Sequence, residues 1–310
     1  MITPLSIRIV CVVLLAAVLG PATAAVAGAP AGAGLLRHRD VVALVGGEDM
    51  VAAWDYGYLE YLILRQRPDL ELQWRSLTKE GDTAFQQARD FNYPMLEKQL
   101  TTIGATVVIV QIGLMESLRG RDGVADFERA AEAMIERLGD GRTRRVILIG
   151  PTPVPAGTPA AERFAAQDAY RDAVVRLAHR KELPCIVPGE SQGFDAQDFR
   201  NGVHLNERGH FTFAAQLADG LAGRVERKKP ATPDERHLLE TIRSKNRRWF
   251  HFVRPENWAF LDGDRTVQPA SRDHRDPEKR WFPEEMKEWL PIVQEREREA
   301  WAIARALRTP

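Results

Sequence analysis

Cysteine is scarce in this 310-residue chain, which holds only Cys11 and Cys185. If Cys11 leaves with a cleaved leader, no internal disulfide can form, and a lone thiol in an apolar setting reads as core before nucleophile. An excess of either charge is absent as well. Lys and Arg together number 43, as do Asp and Glu, so the net charge is zero. That leaves no basic footprint for nucleic acid. The apolar run at 9–19 is shorter than the roughly 20 residues a bilayer-spanning helix needs. Metal-ligand spacing is missing: His204 and His210 stand six apart across a helix start with no Cys to join them. There are no repeats and no low-complexity tracts. Ser and Thr are both absent between Gly28 and Trp74, so that stretch has no hydroxyl nucleophile.

What is present suits a globular protein. Apolar residues make up 44% of the chain, enough for a full core. Residues 1–27 read as a secretory signal, with Arg8 as a weak positive start, a short apolar run and small residues after it. Ala22-Thr23-Ala24 and Ala25-Val26-Ala27 both fit a cleavage site. The expected product is exported, with no membrane anchor after cleavage. Residues 28–38 are an Ala/Gly/Pro-rich linker. The remaining length exceeds a typical single domain, so a main domain over 39–225 and an extension over 226–310 are expected.

Strand-like apolar runs alternate with helical patterns through the main domain. VVALV at 41–45, the alternating segment 70–77, 105–112, 145–149 and 183–187 read as five strands. Helices are predicted over 54–65, 85–100, 126–138, 160–181 and 211–223. This alternation predicts parallel βαβ units in an α/β three-layer sandwich, flavodoxin-like, with a five-stranded parallel sheet. The extension differs. It holds five of the seven tryptophans and no strand alternation. It reads as mainly helical, its tryptophans packing on the main domain, with Pro291 kinking a helix over 284–307.

In open α/β sheets, ligands bind outside the carboxyl ends of the strands. Four predicted strand-exit loops therefore carry the candidate site: Gly46-Gly47-Glu48-Asp49, the turn around Gly81, Gly113 to Glu116, and Asn201 to His204. Their order and spacing resemble the four sequence blocks of the SGNH (GDSL-type) hydrolase family, over residues 41–221. NGVHLNERGH (201–210) looks like that family's D-G-x-H-x-N-x-x-G block. VVALVGGED (41–49), SLTKEGDT (76–83) and VVIVQIGLMES (107–117) look like the first, second and third blocks. The extension segment KNRRWFHFVRPEN (245–257) resembles one that follows this domain in some secreted bacterial members.

The resemblance implies ester hydrolysis by a serine, a histidine base and an orienting aspartate. The serine N–H, a glycine N–H and an Asn side chain would bind the oxyanion. Carried over residue by residue, His204 matches the base, Gly81 the oxyanion glycine and Gly46 the first-block glycine. The other positions depart from the pattern. Glu48 stands at the nucleophile position and Gly47 where the family has Asp. Met115, followed by Glu116, stands at the oxyanion Asn, and Asn201 at the orienting Asp. Sliding the first block by one puts Asp49 at the nucleophile, still not a hydroxyl.

A carboxylate nucleophile would leave an anhydride. In a serine protease, Asp→Asn at the orienting position costs about 10⁴ in rate, and losing one oxyanion donor costs roughly 10²–10³. Three readings follow. One is a protein that has lost serine-type chemistry and binds a ligand such as an acylated or plain glycan, or another small ester. The second is a hydrolase using Glu48 or Glu116 with His204 on water. The third is a scaffold docking a partner through the extension. None needs a cofactor. Glu48 is expected within ion-pair reach of His204, raising the pKa of its ring.

Overall fold

The computed structural model describes residues 34–190 and 193–308. The expected signal at 1–27 and the start of the linker lie outside the described residues. The predicted sandwich is observed. β1 (Val41–Val45), β2 (Gln73–Ser76), β3 (Val107–Gln111), β4 (Arg145–Ile149) and β5 (Cys185–Ile186) form one parallel sheet in the order β2-β1-β3-β4-β5. The run VVALV is buried from Val42 to Val45, and VVIVQ throughout. Strands covered on both faces require such unbroken apolar runs. Burial pushes the Cys185 thiol up to about 12, which keeps it protonated and unreactive.

α1 (Glu48–Tyr56), α2 (Tyr58–Gln66) and α6 (Glu207–Ala222) pack together, while α3 (Leu96–Thr102), α4 (Val124–Gly139) and α5 (Gln167–Lys181) make up the other helical group. Three predicted helices are corrected, the one expected over 160–181 beginning only at Gln167. The segment read as one helix from 54 is two, because Gly57 takes a left-handed φ of 68° and ends α1. The helix expected over 85–100 exists only as α3. Residues before it are held by side chains instead: Gln87 donates to the Thr83 carbonyl and Arg89 to the Leu77 carbonyl. Pro94 also disfavours helix at the residue before it.

The extension is part of the fold. α7 (Pro233–Val253) and α10 (Trp289–Ala306) pack on each other, α7 against α1, α2 and β2, and α10 against α2. Short α8 (Trp258–Leu261) and α9 (Trp281–Lys287) lie between them. Pro291 does not kink a helix. It is the third residue of α10, in the first turn, where its missing N–H has no intrahelical partner to lose.

β2 is an edge strand, and the extension covers it. The Trp74 N–H donates to Glu297 of α10 at 3.1 Å, and the Trp249 indole of α7 donates to the Ser76 carbonyl at 2.7 Å. A bare edge would otherwise invite pairing with another chain. Beneath this contact lie four buried charges. Lys245 of α7 reaches both oxygens of Glu60 on α2 at 2.7 Å, and Arg75 of β2 reaches Glu297 at 2.6 and 3.0 Å. Lys245 and Glu297 are 3.9 Å apart. The cluster is neutral, two against two, as buried charge must be to avoid an uncompensated desolvation cost.

Candidate functional site

The exits of β1 and β3 meet where the strand order reverses, the place this topology reserves for ligands. Gly46 makes the approach possible. Its φ is 137°, and a Cβ there would lie 2.8 Å from the Gln111 carbonyl oxygen, so no larger residue fits. Gly47 then caps α1, placing Glu48 and Asp49 in the first turn, where the helix dipole favours carboxylates.

The two acids part ways. Glu48 faces outward, its side chain one-third exposed, and Arg200 donates to it at 2.6 Å. Asp49 turns inward and is buried. Burial raises its pKa to about 6, against a hydrogen bond with Thr152.

His204 lies across from Glu48, Nδ1 to Oε1 3.9 Å. That is ion-pair reach without a hydrogen bond. The expected rise in its pKa is overturned. Partial burial lowers it, Glu48 pulls it up, and Arg200 pushes it down again. The expectation missed chiefly the burial of the ring, and also Arg200, which pairs with the carboxylate the ring was to meet.

Asn201 shapes the loop rather than the ring. Its side-chain oxygen accepts from the Val203 and His204 N–H groups at 3.2 and 2.9 Å, a local turn typical of Asn. Asn206 then caps α6 through the Arg208 and Gly209 N–H groups.

Glu116 is buried and bridges two exits. It accepts from the Ala84 N–H at 2.7 Å and from the Gly113 N–H at 2.9 Å. Burial raises its pKa despite these bonds. Met115 is exposed at the rim, and its thioether has no hydrogen to donate. Gly81 sits in an exposed turn and does not line the cavity. Asp82 beside it does, held by Arg89 at 2.8 and 3.0 Å. The nearby hydroxyls bond locally: Thr83 to the Gln86 carbonyl, Ser76 to Thr78, and Ser117 to the Leu114 carbonyl.

Glu48, Asp49, Asp82, Met115, Glu116 and His204 therefore converge on one cavity, of about 40 Å³. It has room for roughly one water. Behind it lies His210, which sequence reading considered only as a metal ligand. It is buried, its ring 4.9 Å from that of Tyr56, and its Nδ1 is without a hydrogen-bond partner. Burial first, then the charges of Arg200 and His204, push its pKa down to about 3. Among the described residues no cluster of three or more His, Cys, Asp or Glu could hold a metal ion.

No family model and no curated protein matches the chain. Solved structures match part of it. An alpha/beta hydrolase enzyme from the metagenome of Lake Arreo, Spain, is 17% identical with a TM-score of 0.47, over 60% of this chain and 97% of that one. The lipase/acylhydrolase from Enterococcus faecalis is 19% identical with a TM-score of 0.42, over 61% and 98%. An acetylxylan esterase from Geobacillus stearothermophilus is 12% identical with a TM-score of 0.43, over 60% and 96%.

Proposed function

We propose that this chain is an exported protein of SGNH hydrolase type that has lost serine-type ester hydrolysis and acts by binding, its ligand an acylated carbohydrate or another small ester. The observation that carries the reading is Glu48. It stands at the nucleophile position, tied to Arg200 at 2.6 Å and facing His204 across 3.9 Å. His204 therefore meets a carboxylate with no proton to give up. The cavity beside it, at about 40 Å³, is far below the ~300 Å³ of an enclosing ligand pocket, so a ligand of this class would rest on the open rim of the strand exits and insert only a small group. Hydrolysis by activated water is favoured less. Glu116 already accepts from two backbone N–H groups, and Glu48 is held by Arg200.

The test is turnover and retention measured on one set of acetylated sugars and small activated esters. The expected result is no hydrolysis above a His204→Ala control and no labelling by a serine-directed fluorophosphonate. Hydrolysis that disappears in His204→Ala but persists in Glu48→Ala would overturn the reading. Export is tested separately by intact mass from the native host. A chain beginning near Ala25 or Gly28 is expected, and one still beginning at Met1 would refute it.

A further inference from the structure

A second cavity, of about 180 Å³, lies where the extension meets the loop after β2, and it shares no lining residue with the His204 cavity. Lys79, Arg89 and Tyr93 come from the β2–α3 loop. Arg254 and Glu256 come from the turn between α7 and α8, and Trp258 from the first position of α8. The walls belong to two parts of the chain, yet they are bonded together. The Tyr93 hydroxyl donates to the Val253 carbonyl at 2.7 Å, and Arg254 donates to the Thr78 carbonyl. The cavity is thus a preformed part of the fold.

Its chemistry selects a class of ligand. Each cation in the wall already holds a carboxylate: Arg89 holds Asp82, Arg254 holds Glu80 at 2.9 Å, and Lys79 stands 3.6 Å from Asp90. An anion would have to compete with these pairs and would meet the Glu256 carboxylate, and a cation would meet Lys79 and two guanidinium groups. A neutral ligand meets neither obstacle. The paired charges still offer N–H donors and carboxylate acceptors to hydroxyls, while Tyr93 and Trp258 supply aromatic surface of the amphipathic kind found at wet interfaces. A few fixed polar groups set in apolar surface is the pattern of a small-ligand pocket. The volume is below that of a drug-sized site and suits a single ring.

We propose that the cavity between the β2–α3 loop and the α7–α8 turn binds one neutral sugar ring, free or at the end of a glycan. The site stands apart from the loss of ester chemistry proposed above. Asp82 is the link between the two places: it lines the His204 cavity while its partner Arg89 lines this one.

The full chain would be titrated with methyl glycosides of glucose, galactose, mannose and xylose, and with glucuronate and glucosamine, by calorimetry and by NMR of the Trp indole N–H signals. At least one neutral glycoside should bind one to one and shift the Trp258 indole signal, while the two charged sugars bind at least tenfold more weakly. Trp258→Ala should lose tenfold or more in affinity with an unchanged urea midpoint, and Trp258→Phe should stay within threefold of wild type. A soluble oligosaccharide ending in the preferred sugar would separate a chain end from a free ring: stronger binding assigns the site to glycan ends, equal binding to the ring alone. No saturable binding of any neutral glycoside at ~50 mM, tighter binding of glucuronate, or binding abolished by His204→Ala would each overturn the proposal.

Discussion

The molecule holds two groups of charged residues that look alike on paper and behave differently. At the sheet's carboxyl end, Glu48, Arg200 and His204 are each about one-third to one-half exposed, with separations of 2.6 and 3.9 Å. Under the extension, Glu60, Lys245, Glu297 and Arg75 are all nearly sealed from solvent, with three contacts at 2.6–2.7 Å. Water screens the first group, so its members can change partners at little cost. Nothing screens the second, so every member must keep its partner. The buried group joins β2, α2, α7 and α10, and so ties the Trp-rich extension to the sheet.

The largest expected effect is on the buried group. Lys245→Met leaves Glu60 and Glu297 short of a cation, and breaking a buried pair costs about 3–5 kcal/mol. Urea unfolding should show that loss. Adding Glu60→Leu to Lys245→Met should recover much of it, since removing both charges also removes the unmatched desolvation. A double variant no better than the single would mean that the pair supplies net stability. Rapid proteolytic removal of everything after about Arg227, leaving a stable core, would break the comparison itself.

Next comes a pair of opposed titrations behind the exposed group. His210 has a folded pKa of about 3, below the unfolded value of 6.5. The unfolded chain binds the extra proton between those limits, so this residue makes the fold lose stability as pH falls through that window. Asp49 has a folded pKa of about 6, above its unfolded 3.8. Here the fold binds the extra proton, so stability rises as pH falls from about 6 to about 4. Each slope approaches ~1.4 kcal/mol per pH unit, and between pH 4 and 6 they offset each other. His210→Phe should therefore gain stability relative to wild type as pH falls, by roughly 2–3 kcal/mol at pH 4.5. Asp49→Asn should become more acid-sensitive than wild type. Parallel stability curves for all three proteins would refute both assignments.

The sequence showed much of this and hid a definite part. β1 and β4 were legible residue for residue, because strands buried on both faces have little polar interruption to blur them. The exit loops and His204 were legible through their spacing. The helix expected from residue 85 fails over 85–94, a segment that Gln87 and Arg89 tie down through side chains. Arg200 left no signal, since its partner lies 152 positions away. The buried cluster left a faint one: Glu60 interrupts the apolar run Tyr58-Leu59-Glu60-Tyr61-Leu62, and Arg75 sits inside a strand. A charge at such a position asks for a buried partner, but only the fold says which.

If ester chemistry has been lost as proposed, restoring it should have a smaller effect than the residue changes suggest. Glu48→Ser supplies a hydroxyl, but Asn201 is engaged with the loop backbone rather than the ring, and Met115 still gives no oxyanion donor. Residues of such a site act as a unit. Esterase assays should therefore show little recovery for the single change and more for Glu48→Ser, Asn201→Asp and Met115→Asn together. A fully active Glu48→Ser single variant would show that the other two positions are not defects.

The smallest effect tests what lowers the His204 pKa. Arg200 and Glu48 act on its ring in opposite senses, and Arg200 also occupies the carboxylate. Arg200→Gln removes the nearby positive charge and frees Glu48, so the His204 pKa should rise in an NMR titration. Glu48→Gln removes the one group that favours the imidazolium, so the pKa should fall further. Overall stability should move by no more than ~1 kcal/mol in either variant, since half-exposed pairs are worth little. The direction of the two shifts is the measurement that matters. If Arg200→Gln leaves the ring unchanged while Glu48→Gln lowers its pKa, Arg200 does not shield the carboxylate, and burial alone opposes Glu48 at the His204 ring.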